Sequence, residues 1–229
     1  MVPSLDDLAL EITGCRRCPR LVAWREQVAE QKRRAFAGEE YWGRPVPGWG
    51  DSNARCLLVG LAPAAHGANR TGRMFTGDES GRWLYRALHR AGFANQPQCE
   101  RRDDGLTLTG CFITAVARCA PPANRLKPVE RDNCRTYLEA EIKALQNVRA
   151  VVTLGQYAYD HVLRIYRDQG ASVPVPKPRF AHSTEVHLGV DEPVVLASYH
   201  PSQQNTFTGK LTEPMLDAIF ERAREITDL

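Results

Sequence analysis

The chain has 229 residues, 43% of them hydrophobic, which is enough to build one domain with a sizeable core. Its formal net charge of +3 produces no strong overall field, so composition alone does not indicate a nucleic-acid-binding protein. The acidic N-terminal residues lack the apolar run of a signal peptide, and no stretch approaches the roughly 20 apolar residues of a membrane span. We therefore expect a soluble, cytoplasmic, single-domain protein with no membrane partner.

Predicted helices and strands alternate along the chain. Ser4, with Asp7 three residues later, forms a capping box that opens a first helix, and Pro128 suits the first turn of a later one. Four apolar runs rich in β-branched residues predict buried strands. The predicted helices cover residues 5–13, 21–34, 80–92, 129–145, 156–168 and 212–228, and the predicted strands cover residues 55–60, 111–116, 148–154 and 194–198. This order predicts an α/β fold around a short, mainly parallel four-stranded sheet, with ligands at the carboxyl ends of the strands.

The connections differ in character. Residues 36–50 combine glycines, prolines and aromatic residues, which predicts a structured loop, whereas residues 95–109 are polar and predicted to be exposed. The stretch 59–84, VGLAPAAHGANRTGRMFTGDESGRWL, holds a long glycine-rich loop, and such loops are usually functional or disordered. Met74, Phe75 and Trp83 argue against disorder, because they need packing partners. The polar side chains of this loop that could supply chemistry are His66, Arg70, Arg73 and Asp78.

Four of the seven cysteines are candidate metal ligands. Cys15 and Cys18 are separated by two residues after a predicted helix end, so both thiolates could face one metal. Cys119, just past a predicted strand, and Cys134, in the next helix, would complete the site if the N-terminal helices pack against that corner. Four cysteines suit zinc or an iron–sulfur cluster, and their spacing leaves both open. The remaining three are expected to be ordinary buried apolar residues: Cys56, Cys99 and Cys111.

Several segments taken together resemble one known family. GLAPAAHG, GRMFTGD, ITAVARCAPPANR, HPSQQNT and the four cysteines resemble the uracil-DNA glycosylase superfamily, and within it the iron–sulfur members of family 5, which are close to family 4. The resemblance extends from residue 15 to about residue 209. It implies a three-layer α/β/α sandwich and excision of damaged bases from DNA. It also implies a structural [4Fe–4S] cluster, ordering a loop near the DNA, on Cys15, Cys18, Cys119 and Cys134.

The resemblance suggests roles for individual residues, because a glycosylase must extrude a nucleotide, stack its base and stabilise charge on the leaving base. Phe75 is suited to stack on the flipped base, and His200 to donate to a carbonyl oxygen that becomes anionic. The alternatives are a core aromatic for Phe75 and a structural histidine for His200. The residues expected around the base are Gly60, Ala62, Phe75 and Ala115. The residues expected to contact DNA are His66, Asn69, Arg70, Arg73, Ser202, Gln203, Gln204 and Asn205.

Two positions depart from family 4, which carries Glu at the position of Leu61 and Asn at the position of Ala115. The carboxylate usual in that family is therefore missing, and Asp78 is the nearest ionisable replacement as a catalytic residue. The alternative is that Asp78 only caps the following helix, since Asp is a favoured N-cap. Ala115 has no amide to read a base edge, which predicts weak discrimination among bases.

From these features we expect a monofunctional glycosylase that hydrolyses the N-glycosidic bond of uracil and of other damaged bases, such as hypoxanthine and ethenocytosine. Its expected partner is damaged DNA, double- or single-stranded, and it is expected to act as a monomer. Two other functions stay open. One is an iron–sulfur redox protein, which would need no base pocket, and the other is a DNA-damage binding module without turnover.

Overall fold

The computed structural model describes residues 3–227 and contains one six-stranded sheet with helices on both faces. The strands are β1 (Trp49–Gly50), β2 (Cys56–Gly60), β3 (Cys111–Ala115), β4 (Ala150–Leu154), β5 (Glu185–His187) and β6 (Val194–Ser198). The helices are α1 (Leu5–Thr13), α2 (Pro19–Gln31), α3 (Ala68–Thr71), α4 (Glu79–Arg90), α5 (Pro128–Ala144), α6 (Gln156–Asp168), α7 (Gln203–Phe207) and α8 (Glu213–Thr227). Short 3-10 turns cover Arg34–Phe36 and Pro122–Asn124. The predicted three-layer α/β/α architecture is confirmed.

The sheet has the strand order β1-β3-β2-β4-β6-β5. Its four inner strands are parallel, as predicted, while β1 and β5 pair antiparallel at the two edges. The expectation of only four strands is wrong, because the sheet also contains these two edge strands. They have two and three residues, which is too short to show an alternating pattern in the sequence.

Two hydrophobic cores lie on opposite faces of the sheet. Alternate residues of a strand point to opposite faces, so Leu58 packs in the core with α4 and α8, while Leu57 packs in the core with α5 and α6. Burial on both faces explains the continuous apolar sequences of the inner strands. Their carboxyl ends lie along one edge of the sheet, where Gly60 is in register with Ala115. This edge positions the candidate site.

Most predicted elements lie at the predicted places. The bounds of α6 and β6 are as predicted, and the Ser4 hydroxyl caps α1 by accepting a hydrogen bond from the Asp7 N–H at 3.1 Å. Pro128 is the first residue of α5. Helix α2 ends earlier than predicted, and the short helices α3 and α7 have no clear sequence pattern. Helix α8 runs to Thr227, and its predicted end at Asp228 lies outside the described residues.

The segment 36–50 is structured, as predicted, and it supports the glycine-rich loop. The backbone N–H groups of Trp42 and Gly43 donate to the carbonyl oxygens of Arg70 and Asn69 at 2.8 and 3.0 Å. Residues 95–109 are mostly exposed, although three of their apolar side chains are buried. Within residues 3–227, no helix combines the length and the apolarity that a membrane crossing requires.

Candidate active site

Phe75 lies in the loop that follows β2 and has an unusual backbone conformation, with φ of +54°. A bulky residue with positive φ costs on the order of 1–3 kcal/mol and persists only where the surrounding structure requires it. Two glycines allow this arrangement. A Cβ atom on Gly60 would lie 2.6 Å from Phe75 Cζ, and one on Gly81 would lie 1.8 Å from the Phe75 carbonyl oxygen. The partly buried ring is therefore held against the carboxyl end of β2.

His200 follows β6 and lies beside the Phe75 ring, with ring centroids 6.0 Å apart and ring planes at 34°. The His200 carbonyl oxygen accepts hydrogen bonds from the Ser202 N–H and from Asn205 Nδ2, both at 2.8 Å. The Ser202 hydroxyl also caps α7. Ser202 and Asn205, which we expected to contact DNA, thus make contacts within the protein that fix the turn carrying His200.

The imidazole of His200 is uncharged at neutral pH, because burial lowers its pKa to about 4. A neutral imidazole carries one N–H donor and one acceptor nitrogen. A fixed N–H in a site with little water can stabilise negative charge that develops on a bound molecule. His200 therefore has the chemistry expected of a donor to a leaving base.

The predicted base-binding positions divide into two groups. Ala115 is 1% exposed and belongs to the core against which Phe75 packs, and it is in register with Gly60. Ala62 instead packs against the small core that contains Cys134. The structure thus brings Gly60, Phe75 and Ala115 together and places Ala62 beside the cysteines.

Asp78 is the N-cap of α4, because its Oδ1 accepts a hydrogen bond from the Gly81 N–H at 2.9 Å. Its Oδ2 lies so close to Gly67 that a Cβ atom there would be 2.1 Å away. Burial raises the pKa of the Asp78 carboxyl group, while the Gly81 hydrogen bond and the charge of Arg70 act to lower it. The cap is therefore observed and uses one oxygen, and a catalytic role for Asp78 stays a prediction.

Three residues that we expected to contact DNA lie inside the protein. Asn69, Arg70 and Arg73 are 0%, 6% and 5% exposed. Arg70 pairs with Glu39, and Arg73 pairs with Asp104 at 2.8 Å. Their side chains point into the protein and hold the loop together from within, and DNA contact by these three residues stays a prediction.

The other expected DNA contacts differ in exposure. His66 is partly buried, and its Nδ1 forms a hydrogen bond with the Tyr41 hydroxyl at 3.1 Å. Gln203 and Gln204 are exposed on α7, as a DNA contact requires. Phe207, at the end of the same helix, is 76% exposed and was missed in the sequence analysis. The signal that could have found it is a lone aromatic residue within a polar run.

The four candidate metal ligands lie near one another, close to the packed helices α1 and α5. Cys134 belongs to a small buried core, and Cys15 packs against that core. Burial raises the pKa of the Cys119 and Cys134 thiols, and neighbouring cysteines, Cys15 among them for both, raise it further. Within residues 3–227, no three His, Cys, Asp or Glu side chains surround a single metal-ion position.

Donor groups point at three of the four sulfur atoms. The donors are Arg25 Nη1 to Cys119 Sγ at 2.9 Å, the Arg118 backbone N–H to Cys134 Sγ at 3.4 Å, and Asn133 Nδ2 to Cys18 Sγ at 3.6 Å. Hydrogen bonds of this kind stabilise negative charge on sulfur, and metal-ligating cysteines are thiolates. These donors therefore suit thiolate ligands at Cys18, Cys119 and Cys134.

Known proteins with similar sequences share one family. The sequence model of the Uracil DNA glycosylase superfamily matches residues 47–224. A type-5 uracil-DNA glycosylase from Mycobacterium leprae is 53% identical over 229 residues, which cover 99% of this chain and 97% of the relative. Another from Thermus thermophilus is 47% identical over 218 residues, covering 95% of this chain and 96% of the relative. A type-4 uracil-DNA glycosylase from Archaeoglobus fulgidus is 28% identical over 200 residues, covering 87% and 82%. The chain therefore belongs to the uracil DNA glycosylase superfamily, in which type-5 members are more similar to it than this type-4 member.

Proposed function

We propose that this protein is a monofunctional uracil-DNA glycosylase that hydrolyses the N-glycosidic bond of uracil and of other damaged bases in DNA. Family membership supports the reaction class. The observation that carries the proposal is the Phe75 ring, held by a backbone with positive φ, beside a neutral His200 at the carboxyl edge of the sheet. An aromatic face and an uncharged N–H donor suit a flipped base with a carbonyl group.

In this mechanism the flipped base stacks on Phe75. As the bond between the base nitrogen and C1′ of the sugar breaks, its electron pair leaves with the base, and negative charge develops on a base carbonyl oxygen. The His200 N–H stabilises this charge, a contribution worth about 100-fold to 1,000-fold in rate where such donors have been removed. Water bonds to C1′ through its oxygen, and the proton it releases neutralises the base.

Asp78 acts on the sugar side of the reaction. Its Oδ1 is engaged in capping α4, while Oδ2 has no part in that hydrogen bond. A carboxylate can accept the proton that the attacking water releases, balance positive charge on the sugar, and pass that proton on to the departing base. Removing the carboxylate charge should therefore affect turnover separately from helix capping.

The DNA contact surface centres on α7. Gln203 and Gln204 are exposed there, and Phe207 presents a large apolar side chain to solvent. Apolar side chains that insert between base pairs unstack them and compensate for the missing nucleotide. We assign Phe207 to the space that the flipped base leaves in damaged DNA.

The proposed range of bases rests on Ala115, which is buried and has no polar side-chain atoms. A site that reads a base edge with an amide rejects bases of the wrong pattern, because its polar groups would be left unpaired. A site without that amide should accept hypoxanthine and ethenocytosine beside uracil. Excision of these three bases is to be compared between the parent and Ala115→Asn. Strict uracil specificity in the parent, or an unchanged uracil-to-hypoxanthine ratio in the variant, would contradict this range.

The reaction itself is tested with an end-labelled oligonucleotide containing one uracil, treated with the protein and then with alkali. The proposed function predicts cleavage at the uracil position only after incubation with the protein. Tight binding of the same oligonucleotide with no cleavage would favour a damage-binding module, and neither binding nor cleavage would favour a redox protein.

We also propose that Cys15, Cys18, Cys119 and Cys134 hold a [4Fe–4S] cluster. Such a cluster, when bound, supplies a structural cross-link between the N-terminal helices and the sheet. The buried thiols must lose their protons to ligate, so metal binding is linked to folding. Protein purified without air should show a broad visible absorbance and about four iron atoms per chain. Cys134→Ala should lose the iron, and Cys99→Ala, which removes a buried thiol elsewhere, should keep it; zinc without iron in the parent would contradict the proposal.

A further inference from the structure

Arg25, on α2, is a buried arginine with an unusual set of partners. It is 2% exposed, and its Nη1 donates to Cys119 Sγ at 2.9 Å. Both terminal nitrogens lie 3.3 Å from the Cys15 carbonyl oxygen, and within residues 3–227 its Nε has no hydrogen-bond partner. Its nearest carboxylate, that of Glu26, is 3.7 Å away and partly exposed, and it also pairs with Arg16.

The other buried arginines of the described chain each hydrogen-bond a carboxylate. Arg118 contacts Glu141 at 2.6 Å, and Arg73 contacts Asp104 at 2.8 Å. Arg70 makes the same kind of contact with Glu39. A buried positive charge is unfavourable unless a negative group compensates it. At Arg25, the group in the position of that carboxylate is a sulfur atom.

The main chain of the same residue contacts the candidate active-site loop. The Arg25 carbonyl oxygen accepts a hydrogen bond from Asn69 Nδ2 at 3.3 Å, and Asn69 is fully buried in α3. The Asn69 carbonyl in turn accepts from the Gly43 N–H at 3.0 Å. Residue 25 thus connects the sulfur of Cys119 to the loop that carries Phe75.

We propose that Arg25 is a positioning residue whose guanidinium compensates the charge of the Cys119 thiolate in the metal-bound protein and fixes α2 between the cysteines and the base-binding loop. This inference rests on the cofactor proposed above. The potential of an iron–sulfur cluster depends on net charge and on hydrogen bonds to its sulfurs. A buried cation that donates to a ligating sulfur therefore raises the potential and protects the reduced form.

The test compares Arg25→Met and Arg25→Lys with Arg16→Met as the matched control, because Arg16 is an exposed arginine of the same N-terminal region. Each purified protein is measured for iron content, midpoint reduction potential and the rate at which its visible absorbance bleaches in air. Methionine fills similar space without charge, so Arg25→Met should have a lower potential and should bleach several times faster. Arg25→Lys should recover part of the potential, and Arg16→Met should match the parent.

The outcomes separate this inference from the proposed cofactor. A parent protein without iron would overturn the cofactor and the inference that rests on it. A parent with iron, and an Arg25→Met variant with the potential and bleaching rate of the parent, would overturn the role of Arg25 alone. If Arg25→Met retains no iron, the potential of Arg25→Gln decides, because glutamine is neutral but keeps a hydrogen-bond donor, and a value equal to that of the parent would contradict the role.

Discussion

Two segments at the same edge of the sheet form the candidate active site, and they are stabilised in opposite ways. The loop after β2 turns its long polar side chains inward, where Arg70 and Arg73 are buried against carboxylates. The segment after His200 presents part of its side chains to solvent, with Gln203 and Phe207 exposed, while Ser202 and Asn205 fix the turn. The first segment can therefore hold the backbone of Phe75 in a strained conformation before any ligand binds, whereas the exposed side chains of the second are accessible to a partner. Similar polar sequences thus serve opposite purposes.

The largest effect is expected at His200, the fixed point from which the exposed segment begins. His200→Asn should reduce the single-turnover rate of uracil excision by about 100-fold to 1,000-fold, because the donor to the leaving base is displaced. DNA affinity should change little, since the loss lies in the transition state. The measurement is excision at saturating protein together with binding by fluorescence anisotropy. A variant as active as the parent would remove His200 from the mechanism.

Substitutions in the inward-facing loop are expected to lower the free energy of unfolding more than substitutions in the exposed segment. Arg73→Met leaves the largely buried Asp104 carboxylate without its cation, which should lower the free energy of unfolding by about 3 kcal/mol. Gln203→Ala, on the exposed helix, is the control and should stay within about 0.5 kcal/mol of the parent. Denaturant titration of both variants gives the comparison. Equal stability for the two would contradict an internal role for Arg73.

Substitutions of Asp78 separate its two roles. Asn caps helices about as well as Asp, so Asp78→Asn should keep the stability of α4 and still reduce turnover more than tenfold. Asp78→Ala removes cap and carboxylate together, and it should also lower the free energy of unfolding by about 1 kcal/mol. Melting temperature and single-turnover rate are measured for both variants. If Asp78→Asn has the turnover of the parent, Asp78 is only a cap.

In the exposed segment, Phe207→Ala should weaken binding to uracil-containing duplex by about 1–3 kcal/mol, because an inserted aromatic side chain would no longer stack in the gap. Its melting temperature should be unchanged, since the side chain is 76% exposed in the free protein. Gln204→Ala on the same helix should weaken binding less. A Phe207 variant that binds as tightly as the parent would exclude insertion at this position.

The last effect, which is absent at neutral pH, concerns acid stability. The folded pKa of His200, about 4, is below its ordinary value of 6.5, so the unfolded chain takes up a proton first as pH falls. The resulting contribution to stability is fully present above pH 6.5 and is lost as pH falls toward 4. His200→Asn lacks this contribution. As pH falls from 6.5 to 4, the free energy of unfolding should therefore fall more in the parent than in the variant. A difference that does not change with pH would contradict a partly buried, neutral His200.

The sequence predicts those elements that have a periodic apolar pattern or begin at a residue with a strong local preference. The parallel strands show as apolar runs, Ser4 and Pro128 mark helix starts, and the four cysteines lie close together as expected. The edge strands are too short to have a period. The inward direction of Arg70 is set by residues far away in the chain, such as Glu39, so no local pattern shows it.

The two segments are expected to differ in how rigid they are in the free protein. Amide hydrogen exchange, measured on the protein alone and bound to uracil-containing DNA, tests this difference directly. We predict that amides of residues 69–72 are already protected in the free protein and change little on binding, because their N–H groups are hydrogen-bonded within the loop. Amides of residues 203–209 should exchange faster than these in the free protein, because α7 is a short and largely exposed helix, and should become protected on DNA. Protection that develops in residues 69–72 only when DNA binds would contradict a preformed base-binding loop.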